Sequence, residues 1–152
     1  MENFDGLTPE EKARLLELEQ SVELDKAKPV IQKDFLSFVK YVWPEFIEGG
    51  HHKKINKKFN DLASGKIKRL IINMPPRHTK SEFASYLLPA WMVGLDPRLK
   101  IIQATHTADL AVDFGRKTKN LVDQPNYKQL FDTRLMEDSQ AAGKWKTEQG
   151  GE

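Results

Sequence analysis

The sequence predicts an α/β domain with parallel strands, preceded by an N-terminal helical region. Residues 69–74 (RLIINM) and 99–105 (LKIIQAT) are short apolar runs of the kind found in buried parallel strands. Each is followed by helical periodicity, over about 80–93 and 108–122. Upstream of residue 69 only helical patterns occur. Strand, loop, helix, strand, helix is the grammar of a βαβ unit. The expected division is a helical extension over 1–33 and the α/β domain over 34–152.

The bulk properties suit such a domain. A chain of 152 residues can enclose one core, and 39% hydrophobic with 30% charged residues is a globular composition. Lys and Arg number 24 against 22 Asp and Glu, so the formal charge is only +2. Nucleic-acid contact would therefore have to rest on local clustering. The absence of cysteine excludes disulfides, thiolate zinc sites and a cysteine nucleophile within these residues. No apolar run approaches the roughly 20 residues of a membrane helix. Met1 to Gly6 is acidic and polar, unlike a secretory signal.

Thr8-Pro9-Glu10-Glu11 reads as a helix start, with Thr8 as cap, Pro9 at the first position and Glu11 returning the capping bond. A surface helix is expected over about 8–27, ending before Pro29. Phe35, Phe38, Val39 and Val42 make the stripe of a second helix, from Asp34 to Trp43, stopped by Pro44. After Gly49-Gly50 a third helix, about 51–64, presents Ile55, Phe59, Leu62 and Ala63, and Gly65 ends it. In the helix after the first apolar run, Pro89 predicts a kink and Gly94 the end. Thr107 caps the next helix, whose stripe is Leu110, Phe114, Leu121 and Val122. Lys144 to Gln149 is an expected strand. Gly150-Gly151 then suggests a hairpin turn, whose second strand would follow Glu152.

The chemistry concentrates between the first run and its helix, at Met74-Pro75-Pro76-Arg77-His78-Thr79-Lys80-Ser81. A phosphate loop needs a strand feeding a tight loop that opens a helix, whose free N–H groups hold the phosphates. Lys80 would reach the β- and γ-phosphates, and the Ser81 hydroxyl would take a Mg²⁺ position. Pro76, Arg77, His78, Thr79, Lys80 and Ser81 are the candidate nucleotide-binding residues. Measured against G-x-x-x-x-G-K-[ST], Met74 and Thr79 replace the two glycines. The alternative is an ordinary surface loop with a basic helix start. Arg77, His78 and Lys80 then place positive charge where the helix dipole disfavours it, a conflict that a bound anion would remove.

Residues 71–82, IINMPPRHTKSE, resemble the deviant phosphate loop of bacteriophage large terminase subunits, commonly Pro-Pro-Arg-His-Gly-Lys-Ser. Residues 65–70 are similar to the run leading into that strand. Residues 101–111 with Phe114-Gly115-Arg116 are similar to the following strand and helix. Asp138 to Trp145, with Thr147 and Gly150-Gly151, is similar to a segment before a β-hairpin. The likeness spans about 34–152, in family order.

That resemblance implies an incomplete P-loop NTPase domain of the ASCE type, the ATP-binding portion of the motor that packages viral DNA into a procapsid. It implies ATP and Mg²⁺ as cofactors, Lys80 and Arg77 as catalytic groups, and Ser81 as metal ligand. Arg77 would act as an arginine finger in cis, against the plainer reading of a phosphate-binding or solvent-facing arginine. Implied partners are double-stranded viral DNA, the portal protein and the small terminase subunit; a split-gene product would in addition pair with a separate C-terminal chain. The implied location is the host cytoplasm, with no membrane. Thr79 departs from the family's glycine, and a β-branched residue would be strained if the loop needs positive φ. The Walker B aspartate, catalytic glutamate and nuclease domain would lie beyond Glu152, so these residues alone are expected to be inactive. Asp109 and Asp113 offer no replacement, being on a helix. Alternatives are a non-catalytic nucleotide- or DNA-binding fragment, or a helicase-like P-loop motor.

Three further features have a functional and a structural reading. His51-His52 could flank an adenine, or simply open a polar helix. Lys53, Lys54, Lys57 and Lys58, with Lys66, Lys68 and Arg69, could touch DNA phosphates, or form a solvated face. Trp43, Trp91 and Trp145 read as core or interface residues rather than base-stacking platforms.

Overall fold

The computed structural model describes residues 8–152, apart from the Gln140 side chain. Met1 to Gly6, read above as unlike a signal, lies outside them. The chain falls into two units, Met1–Val30 and Ile31–Glu152. The first is dominated by helix α1, Pro9–Lys33, which buries none of its residues. Its start is as expected: the Thr8 N–H donates to Glu11 Oε2 at 2.8 Å, and the Glu11 N–H returns to Thr8 Oγ1 at 3.3 Å. Its end is not. The helix runs through Pro29 to Lys33, so the missing proline N–H costs a bond without stopping it.

The second unit is mixed α/β and mostly helical. Helices α2 (Phe35–Val42), α3 (Gly50–Ala63), α4 (Lys80–Glu82), α5 (Leu88–Leu95), α6 (Ala108–Asp123) and α7 (Pro125–Leu130) surround one core. A π-helical turn, Phe83–Leu87, joins α4 to α5. The expected apolar stripes face inward. Phe35 meets Phe59, Phe83 and Trp91 edge-on, with ring centroids 4.9, 5.3 and 5.6 Å away. Trp91 is buried, whereas Trp43 and Trp145 pack half-buried against the core. Tyr127, on the buried face of α7, donates to the Ala90 carbonyl at 2.7 Å; burial raises its phenol pKa.

The start of α2 is fastened to α3 by side chains. Asn60 Oδ1 accepts from the Phe35 N–H, Asn56 Oδ1 from Leu36, and Asp34 Oδ2 from Ser37. Asp34 Oδ1 in turn accepts both asparagine amides at 2.7 Å. Three of the donors that a helix start leaves free are thus satisfied.

Where Pro89 predicts a kink, the helix takes up a π-turn just before it. Pro89 has no N–H to give the Ser85 carbonyl four residues earlier, and the bond register shifts, with Leu88 N–H reaching back to Phe83. Gln103 Nε2 donates to the Ser85 carbonyl at 2.6 Å and fills the gap. Gln103→Leu should therefore destabilise the unit by about 1–3 kcal/mol, read from urea denaturation midpoints. An unchanged midpoint would show that water serves this carbonyl equally well. Gly94, expected just after the helix, lies within α5. A Cβ there would come within 2.6 Å of the Phe131 ring, so only glycine allows this approach.

The strands differ most from expectation. Among the described residues the one sheet is an antiparallel pair, β1 (Leu135–Ala141) with β2 (Lys144–Thr147). The expected strand at 144–149 is therefore present as β2, but its partner precedes it rather than following Gly150-Gly151. Residues 69–74 and 99–105, expected as parallel strands, are extended without a ladder between them. Extended backbone becomes a strand only where a neighbour offers matching donors and acceptors. Burial still alternates: Leu70, Ile72 and Met74 pack on the core, while Ile71 is 87% and Ile102 95% exposed. A single parallel-type step does form. Ile101 donates to the Glu152 carbonyl at 2.7 Å, and Glu152 donates to Leu99 at 3.1 Å.

Candidate phosphate-binding loop

Residues 75–79 connect the extended run, which forms no strand here, to α4. Pro76, Arg77 and His78 are exposed, and Thr79 and Lys80 are half-buried. The loop is built on two left-handed residues, Arg77 (φ 64°) and Thr79 (φ 60°, ψ 6°). Neither is glycine, and these are the described non-glycine residues with positive φ. The Thr79 position thus has the conformation that glycine would adopt freely, and its β-branched side chain is strained there. Thr79 is the N-cap of α4, and its carbonyl accepts from Phe83 at 2.8 Å. The N–H groups of Lys80, Ser81 and Glu82 begin the helix and face outward from its N-terminal end.

Lys80 and Ser81 follow directly. Among the described residues, Arg77, Lys80 and Ser81 make no side-chain hydrogen bond or ion pair, which leaves their donors uncommitted. Glu82, the next residue, is engaged by Lys117 Nζ at 3.2 Å. His78 Nδ1 lies 2.9 Å from the Pro76 carbonyl and closes the exposed tip of the loop.

The start of α3 lies against this loop. His51 and His52 ring centroids are 3.8 Å apart, and His51 is 5.7 Å from His78. His52 is buried between Phe46 and Phe83, at 4.7 and 5.1 Å. Adjacent helix residues ordinarily diverge, yet here both rings turn to the loop. The Gly49 N–H donates to His52 Nδ1 at 2.8 Å, and His52 Nε2 lies 2.8 Å from Thr79 Oγ1. Burial lowers the His52 pKa, His51 and His78 lower it further, and Glu48 opposes them. The polar-helix-start reading therefore fits His51, which is half-buried, better than His52.

The other candidates lie elsewhere. Lys53 pairs with Glu48 at 3.4 Å and Lys66 with Asp61 at 3.7 Å, while Lys54, Lys57 and Lys58 are exposed on α3. Asp113, on α6, pairs with Arg116 at 3.2 Å. Among the described residues no group of three or more His, Asp or Glu side chains is placed to hold a metal ion. No helix among them is long and apolar enough to cross a membrane. A mainly apolar cavity of about 270 Å³ lies along Ile101 and Gln103, bordered by Val112, Gly115 and Trp145. No protein-family model matches the chain, and neither a curated protein nor a solved structure is significantly similar to it.

Proposed function

We propose that residues 75–81 bind the phosphates of Mg·ATP, and that the chain is the nucleotide-binding portion of a P-loop motor of the large-terminase kind. The observation that carries this reading is the pair of left-handed non-glycine residues, Arg77 and Thr79, immediately before Lys80 and Ser81. Each such residue costs on the order of 1–3 kcal/mol, and strain of this kind gathers at ligand clamps. A loop bent this way aims the first N–H groups of a helix at one point, where an anion meets both the donors and the dipole.

In this reading Lys80 places its ammonium on the β- and γ-phosphates, and Ser81 Oγ occupies one Mg²⁺ position. Arg77 neutralises charge that develops on the transferring phosphoryl group. Pro76 and His78 shape the loop rim. Orienting the attacking water requires a carboxylate, and two near the loop are already engaged: Glu82 by Lys117, and Glu48, which acts on His52, by Lys40 and Lys53. Hydrolysis is therefore assigned to an assembly in which a further polypeptide segment brings that carboxylate. The exposed flank at Ile71 and Ile102 suits an added strand. Packaging of double-stranded DNA, with portal protein and small subunit as partners, belongs to that complete motor. A non-catalytic nucleotide- or DNA-binding module is the second reading, favoured by the same lack of a free carboxylate.

Titration calorimetry with Mg·ATP tests the assignment. Lys80→Ala should weaken binding at least about 100-fold, the effect of losing a charge-assisted phosphate contact. Equal affinities for wild type and variant would remove the loop from consideration.

A further inference from the structure

We propose that His52 and Thr79 form a positioning couple that locks the loop in its phosphate-accepting shape, so that the Thr79 hydroxyl does what a glycine could not. The inference rests on the nucleotide reading of the loop for its purpose, though not for its geometry. Three hydrogen bonds run in series. The Gly49 N–H can only donate, so at 2.8 Å it fixes His52 Nδ1 as an acceptor. A neutral imidazole then carries its proton on Nε2 and donates it to Thr79 Oγ1 at 2.8 Å. The hydroxyl is left to donate its own proton to the His78 carbonyl at 2.6 Å. Each group is used once and in one direction.

The anchor at the far end is firm. His52 is 5% exposed, at the third position of α3, and its N–H also bonds back to the Gly49 carbonyl at 3.0 Å. Phe46 and Phe83 bracket its ring, and Phe83 begins the π-turn that directly follows α4. The relay thus ties the start of α3 to the left-handed residue just ahead of Lys80. Relief of strain alone would make Thr79→Gly tighten nucleotide binding. Loss of both hydroxyl bonds, with a more mobile backbone, should outweigh that relief and weaken it.

The experiment measures two quantities on the full chain: Mg·ATP affinity by calorimetry, and the thermal midpoint without nucleotide. Thr79→Val keeps the branched shape and removes the hydroxyl with both of its bonds, and should bind at least about tenfold more weakly. Thr79→Gly should also bind more weakly than wild type. Thr79→Ser should restore affinity to within about threefold, since its hydroxyl can make the same bonds. His52→Gln keeps an amide donor that can reach the hydroxyl and should fall between wild type and His52→Ala. The Thr79→Val/His52→Ala double variant should lose less than the sum of the two single losses, in affinity and in midpoint. Additive losses in the midpoint would overturn the couple. Equal affinities for Thr79→Ser and Thr79→Val, or tighter binding by Thr79→Gly, would overturn its positioning role. Non-additive midpoints in a chain that binds no Mg·ATP would uphold the couple and refute the nucleotide reading instead.

Discussion

Phe35→Ala should destabilise the second unit by about 3–5 kcal/mol, the range for removing a buried aromatic ring. Phe35 is fully buried at the start of α2 and touches three aromatic rings from three other elements. Phe59 comes from α3, Phe83 from the π-turn and Trp91 from α5. Those contacts join the helices on either side of the candidate loop. Alanine would lose both the transfer energy of the ring and the edge-to-face contacts, and the helical neighbours cannot all close on the space. Urea denaturation at constant slope measures the loss. A loss below about 1 kcal/mol would mean that the core relaxes freely around this site.

Asp34→Ala should cost about 2–4 kcal/mol, more than an ordinary helix cap, because it strands several donors at once. The carboxylate receives both the N–H and the hydroxyl of Ser37, and the amides of Asn56 and Asn60. Those asparagines are in turn oriented to accept from Leu36 and Phe35. Burial pushes the Asp34 carboxyl up, but the asparagine amides and Ser37 outweigh it and hold it below its ordinary 3.8. A depressed folded-state value contributes stability that is present above 3.8 and is lost as pH falls below it. Asp34→Ala should therefore narrow the stability difference between neutral and strongly acid solution. Parallel pH profiles for wild type and variant would show instead that this carboxylate gains nothing from folding.

The helices were legible because their apolar stripes are. Phe35, Phe38, Val39, Ile55, Phe59, Phe114, Leu121 and Val122 are all buried where periodicity puts them. Capping was legible too, at Thr8 and Thr107, since the cap and its partner lie within one turn. Strand pairing was not. The apolar run at 69–74 states that its residues are extended, but not what lies beside them, and its outward Ile71 is bare. Residues 135–141 (LMEDSQA) lack the alternation that marks a strand, yet they form β1 because β2 offers them a ladder. α7 escaped notice because six residues behind Pro125 give too short a period to read.

The loop itself stood out through its order of residues, and the strain at Thr79 was foreseeable from the missing glycine. Its remedy was not. His52 and Thr79 are 27 positions apart, and only folding shows that they meet. The same holds for Gln103, 18 residues from the carbonyl that Pro89 leaves free. In both cases local chemistry reveals the problem, and tertiary structure supplies the group that answers it.

The claim that residues 75–81 cradle phosphate is tested most directly by nitrogen-15 NMR of the chain during addition of Mg·ATP. Donation from the start of α4 predicts the largest, saturable shifts at the backbone amides of Lys80, Ser81 and Glu82, with Thr79 and His52 following and Lys80→Ala abolishing them. Unmoved amides at 80–82, or shifts confined to the exposed lysines of α3, would contradict the account.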